Sequence, residues 1–382
     1  MKDYLKSLIA EQINRGMVLK SYIPHPLNYT ELSSLADRCC RKIDENIDYL
    51  RYLNEELATR ENEDIRDIFR QYRRCAREIE LVESYGIQVI HSETEKLGYL
   101  NKLIFKIHNE INLPLNPPCV SCISTKYFYY QPFTDVIFLP IGESDFLLHI
   151  PDILHELGHE VIQYKDKQLK LEGVKKSYNE SIGLITEHYR ELLKSKMRQT
   201  GPEDIPLIIR HIHSQWKDYW IEEIFADLLA VFTLGPAYVW SHLHLTAKKS
   251  RNVYDFSTIL PREHPSDDAR LKMMLIALKL LGFEDISQDI KTKWDKLPVV
   301  SNINPNKFYH FAYPNELMED IVKILLKGVT DSNFSIIDPK KLSELEDDSI
   351  ISILNQSWEK FWNEPDTYRD WEREVIGKLQ PS

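Results

Sequence analysis

Between Leu32 and Leu57 the apolar residues fall at Leu32, Leu35, Cys39, Ile43, Ile47, Leu50, Leu53 and Leu57, always three or four apart. A β-strand would scatter that spacing over both its faces, whereas an α-helix gathers it onto one stripe. The same period recurs at Ile65, Ile68, Phe69, Tyr72, Ile79 and Val82, and again at Leu97, Leu100, Ile104, Ile107 and Ile111. Charged residues occupy the opposite faces. Residues 1–112 are therefore expected to form an N-terminal helical bundle arm.

The pattern breaks at 113–124, where Pro114, Pro117 and Pro118 interrupt it. Two short β-rich runs follow within 126–141, on either side of Gln131-Pro132-Phe133-Thr134-Asp135. Helical spacing then resumes near 150–164, 177–198, 205–234, 266–282, 315–327, 347–362 and 365–379. Gly235-Pro236 has the form of a helix stop. The expected fold is mostly α with a small β element. It divides into the arm, a catalytic core at 113–282 and a helical C-terminal part at 283–382. Trp358, Phe361, Trp362 and Trp371 are expected to pack between the last two helices.

Composition narrows the function. With 48 Lys plus Arg against 59 Asp plus Glu, the formal charge is −11, which disfavours a phosphate backbone as partner. An apolar fraction of 43% is enough for a buried core and excludes wholesale disorder. Only 12 Gly argue against a turn-dense all-β protein, and 5 unpatterned Cys do not form a disulfide framework. No export signal is evident and no apolar stretch approaches the ~20 residues of a membrane span. A cytoplasmic protein is expected, with no membrane and no nucleic acid as partner.

One motif carries chemistry: His155-Glu156-Leu157-Gly158-His159. On a helix, His155 and His159 lie on one face and can reach the same metal ion, while Glu156 can hold a metal-bound water without binding the metal. A catalytic zinc takes three protein ligands. The stretch Trp220-Ile221-Glu222-Glu223-Ile224-Phe225-Ala226-Asp227 supplies the third. Glu223 and Asp227 share a face, so Glu223 can bind the metal while Asp227 accepts a hydrogen bond from the back of a ligating imidazole. Glu222 is the rival ligand, but Ala226 stands four residues after it.

HELGH followed by EIFAD resembles the gluzincin type of zinc metallopeptidase, over roughly residues 125–270. The resemblance implies one Zn2+ per chain held by His155, His159 and Glu223, with Glu156 as general base and Asp227 behind a ligand. It departs from that type in the long interval between His159 and Glu223, and in lacking the Gly-x-Met-Glu-Asn stretch of the amino-terminus-trimming members. The expected activity is hydrolysis of a peptide bond, in the manner of an endopeptidase, on a protein or peptide substrate. Such chemistry needs an oxyanion donor. His264 and Arg270 are the candidates on the polar stretch 263–270, with Tyr238 and Tyr254 behind them. Two other readings stay open: a zinc hydrolase of a non-peptide amide, and a metal-containing scaffold without turnover. The helical arm offers a surface for a protein partner.

Overall fold

A computed structural model of the chain describes residues 2–24, 32–59, 65–91, 95–122, 128–140, 146–163, 171–197, 204–248, 252–301 and 304–379. The protein is mostly helical with a small three-stranded sheet. It divides into two compact units, the first holding Met1–Phe105 and Asn116–Ser144, the second Lys106–Leu115 and Asp145–Leu379. No described helix is long and apolar enough to cross a membrane.

In the first unit run α1 (Lys2–Ser21), α2 (Ser33–Thr59), α3 (Arg66–Val82), α4 (Gln88–His91) and most of α5 (Glu95–Glu110). Every member of the Leu32–Leu57 series is buried, as the three-and-four spacing requires. The next series is less regular. Ile68, Ile79 and Val82 are buried, but Phe69 is exposed and stacks on Tyr72.

The strands are β1 (Cys119–Ser121), β2 (Tyr129–Gln131) and β3 (Val136–Phe138), in the order β1-β3-β2. The two β-rich runs are β2 and β3, which pair antiparallel with Tyr130 opposite Ile137. Asp135 takes a positive φ of 59° in the turn before β3, where Arg38 and Tyr130 both hold its carboxylate. β1 pairs parallel to β3, Val120 opposite Ile137, and was not legible. It is three residues long, buried throughout, and directly follows Pro117-Pro118, so it shows neither alternation nor length.

The second unit holds α6 (Asp152–Gln163), α7 (Glu172–Met197), α8 (Asp204–Gln215), α9 (Ile221–Leu234), α10 (Pro236–Lys248), α11 (Asp267–Leu280), α12 (Glu284–Trp294), α13 (Lys296–Ser301), α14 (Tyr309–Ala312), α15 (Asn315–Asp331), α16 (Pro339–Glu344), α17 (Ile350–Asn363) and α18 (Pro365–Leu379). A π-helical turn at Trp216–Trp220 joins α8 to α9. All of α9 except Glu222 is buried, which makes it the central helix of this unit. Gly235, with φ 78°, ends α9, and Pro236 opens α10 at once. The sequence stop at Gly235-Pro236 is thus a corner between two helices.

α10 and α12 were not anticipated. α10 is apolar on most of its circumference, so it offers little periodicity. Phe361 packs on Tyr368 of α18, as the aromatic set suggested, but Trp358 stacks on Trp240 of α10 and Trp362 lies tilted against the same ring. The five cysteines are free thiols.

Candidate metal centre

The motif lies on α6, and α6 crosses α9 in close contact. The reason is Gly158, where an added Cβ would stand 2.5 Å from Cα of Ala226 and 2.8 Å from its Cβ. No larger residue fits, so the glycine between the two histidines sets how near Glu223 can come.

His155, His159 and Glu223 each offer a ligand atom, all within 4.8 Å of one another. Nε2 of His155 and Nε2 of His159 are 3.2 Å apart. The Glu223 carboxylate faces both rings, its Oε2 3.5 Å from His155 Nε2 and its Oε1 3.4 Å from His159 Nε2. Glu156, on the same turn of α6, is buried.

Each imidazole turns its other nitrogen to a carboxylate. His155 Nδ1 lies 2.9 Å from Asp227 Oδ1, and His159 Nδ1 lies 3.2 Å from Glu222 Oε1. Gln163 donates to the same Glu222 oxygen at 2.7 Å. The sequence marks Glu222 only as a rival ligand, whereas in the structure it stands behind His159. The available signal was Gln163, four residues after His159 and so on its face of α6.

Asp227 is the most heavily engaged residue here. Arg270 donates from Nε to Oδ2 at 2.7 Å and from a terminal nitrogen to Oδ1 at 2.6 Å. Tyr238, from α10, donates its hydroxyl to Oδ1 at 2.5 Å. Arg270 and Tyr238, sought in the sequence as oxyanion donors, thus both lie at Asp227, behind His155. Arg270 comes from the first turn of α11, whose N-cap is Ser266. Its partner is neither Glu263 nor Asp267 but a buried aspartate on another helix.

His264 approaches from the other side. Its Nδ1 is 2.7 Å from Glu223 Oε2, while its side chain stays 53% exposed. The preceding loop is fastened two residues earlier, where Arg262 donates its N–H to Gln215 Oε1 and accepts from Trp220 Nε1 at its carbonyl. Tyr254 belongs elsewhere, packing edge-on against Tyr309.

The charges are arranged in opposition. Burial alone would lower the His155 pKa, but hydrogen bonds to Asp227 and Glu223 and their charges lift it to about 10. Burial would raise Glu223 and Asp227, yet both stay well below the usual carboxylate range. His155 and His264 hold Glu223 down, and Arg270 and His155 hold Asp227 down. Glu222 is lowered chiefly by its bond to His159. Tyr238 is pushed well up by burial and by Asp227, so it remains a neutral donor.

Two imidazole nitrogens and one carboxylate form a donor set that could hold a metal ion. Comparison with protein families, curated proteins and solved structures finds no match for this chain.

Proposed function

We propose that this chain is a zinc-dependent peptidase, with His155, His159 and Glu223 holding the metal. The observation that carries the reading is the convergence of those three donors from two helices, with Asp227 behind His155 and Glu222 behind His159. The donor set fits zinc: two imidazoles and one carboxylate are a common catalytic combination and leave a coordination position for water. Zinc in such a site polarises a carbonyl and lowers the pKa of its water to about 7.

The protein's own residues do the rest. Glu156 takes the proton of the attacking water and returns it to the departing amine. Asp227 accepts from Nδ1 of His155 and so leaves Nε2 free as a ligand atom; Glu222 does the same for His159. Arg270 and Tyr238 hold Asp227 in place and act as positioning residues. The oxyanion role falls to His264, which is half exposed and bonded to Glu223 through Nδ1.

Metal analysis of purified protein, paired with a peptide-cleavage assay of the zinc-loaded chain, tests the reading. We expect one zinc per chain, and cleavage that is lost in Glu156→Gln while zinc is retained. Wild-type cleavage by Glu156→Gln would overturn the mechanism, and absence of bound zinc would overturn the site.

A further inference from the structure

We propose that Ile259 and Leu260 anchor an apolar side chain of the peptide substrate, a few residues away from the bond that is cleaved. This rests on the peptidase reading and adds to it a demand on the substrate. Both residues lie in the loop between α10 and α11, five and four residues before His264.

They are the most exposed large apolar side chains among the described residues, Ile259 at 82% and Leu260 at 68%. A single exposed leucine is ordinary, but two adjacent aliphatic side chains in water form a patch. The loop presents them in a fixed form. Ser257 Oγ accepts from the N–H of Ile259 at 3.2 Å and from that of Leu260 at 2.7 Å. Asp255 and Arg262 pair at 3.1 Å and close the loop at its base. Phe256 is buried and packs edge-on against Tyr309 and Tyr313. The backbone at the tip is thus ordered before any ligand arrives, which lowers the entropy cost of binding there.

The loop is tied to the metal centre on both sides of His264. On one side Arg262 is held by Gln215 and Trp220, and on the other Ser266 donates its N–H to the Tyr313 hydroxyl at 3.0 Å. Trp220 stands three residues before Glu223, and His264 bonds Glu223 itself. The tip is therefore fixed to the end of α9 that carries the carboxylate of the site. Four residues of chain link Leu260 to His264, so their Cα atoms are at most about 14 Å apart. An extended peptide covers that distance with about four residues. A peptide held at the metal can reach the aliphatic pair with a side chain further along, and apolar burial stabilises it there.

A second protein surface is a poorer occupant. Asp255 and Arg262, both charged and exposed, flank the tip. Two side chains also offer far less than the about 800 Å2 per partner of a stable interface.

Fluorescence polarisation of short labelled peptides, mixed with the zinc-loaded Glu156→Gln chain, tests the proposal. Each peptide is polar apart from one Leu-Leu pair, which is moved stepwise along the series, and a Ser-Ser version is the reference. At its best position the pair should tighten binding about tenfold. Ile259→Ser with Leu260→Ser should abolish that gain, and with Glu156 restored the same loss should appear in KM. Met197→Ser with Leu207→Ser removes two other apolar side chains, each 64% exposed, and should leave the gain intact. Melting temperatures confirm that every variant is folded. No gain from the Leu-Leu pair, or an equal gain without Ile259 and Leu260, would overturn the anchor, while cleavage in the same experiment would leave the peptidase reading standing. The expected binding without cleavage by the wild-type chain would overturn that reading and keep the anchor for a bound peptide. Self-association of the wild-type chain that Ile259→Ser with Leu260→Ser abolishes would overturn the choice of occupant in favour of a second copy.

Discussion

Asp227 meets His155 at the ring nitrogen that faces away from His159 and Glu223, Oδ1 standing 2.9 Å from Nδ1. The same carboxylate is fixed by Arg270 and Tyr238, from two further helices. One buried aspartate therefore ties the orientation of His155, a candidate metal ligand, to the packing of α6, α9, α10 and α11.

Asp227→Asn should lower zinc affinity by about 10–100-fold, since the amide can turn its N–H toward His155 and favour the wrong tautomer. Asp227→Ala should do more. It strands the buried guanidinium of Arg270, and breaking a buried pair costs about 3–5 kcal/mol. Zinc titration and thermal melting of the two variants check this. Wild-type zinc affinity in both would remove Asp227 from the site.

Glu156→Gln should leave zinc content and melting temperature unchanged and reduce peptide cleavage by about 10²–10⁴-fold, the usual value of a general base. Cleavage within a few-fold of wild type sinks its assignment.

Glu222 and Glu223 are neighbours with different contacts, Glu222 at Nδ1 of His159 and Glu223 facing Nε2 of both rings. Glu223→Gln should abolish or severely weaken zinc binding. Glu222→Gln should weaken it by about 10–100-fold, because it acts through His159. The reverse order in a competition titration would show that the ligand is Glu222.

The metal-free site should respond to pH in a definite direction. The His155 pKa is raised to about 10, so its charge stabilises the metal-free fold fully below the ordinary value, about 6.5. That contribution is lost as pH rises through about 10. Zinc must displace the proton, so binding at pH 8 should release about one proton per chain. Calorimetry in buffers of different ionisation enthalpy measures this directly. No proton release at pH 8 would show that His155 is already neutral there.

Gly158→Ala should separate α6 from α9, because its Cβ would stand 2.5 Å from the Ala226 Cα. We expect a stability loss of about 1–3 kcal/mol, the range for overpacking, together with weakened zinc binding. Ala226→Gly, introduced as a second change, removes one of the two clashing atoms and should restore part of both. Unchanged melting and zinc affinity in the single variant would show that the helices separate without cost.

The sequence disclosed what depends on local period. The burial of Leu32 to Leu57 follows from spacing alone, and so does the shared face of His155 with His159 and of Glu223 with Asp227. Partners across helices were a different matter. Nothing in residues 263–270 shows that Arg270 will meet Asp227, 43 residues earlier, rather than the nearer Glu263 or Asp267. That choice is made by α11 lying against α9, and tertiary packing leaves no periodic trace. Glu222 reads in the sequence as a rival ligand because spacing along α9 carries no sign that it will meet Nδ1 of His159 on α6. β1 escaped because its ladder partner, β3, lies beyond the intervening β2 strand and its three residues carry no alternation.

The π-helical turn at Trp216–Trp220 has a consequence for alignment and engineering. A π turn accommodates one residue more than α-helical winding, and each residue advances an α-helix by about 100°. A helical wheel drawn unbroken from Asp204 to Leu234 therefore misplaces Glu223 and Asp227 by about 100° relative to α8. Removing a single residue within 216–220 can relax the turn to α-helical winding while keeping the phase of α9. The same deletion a few residues later, inside α9, rotates one of the two carboxylates away from α6. Length, counted to the residue, decides here whether two acidic side chains meet their histidines.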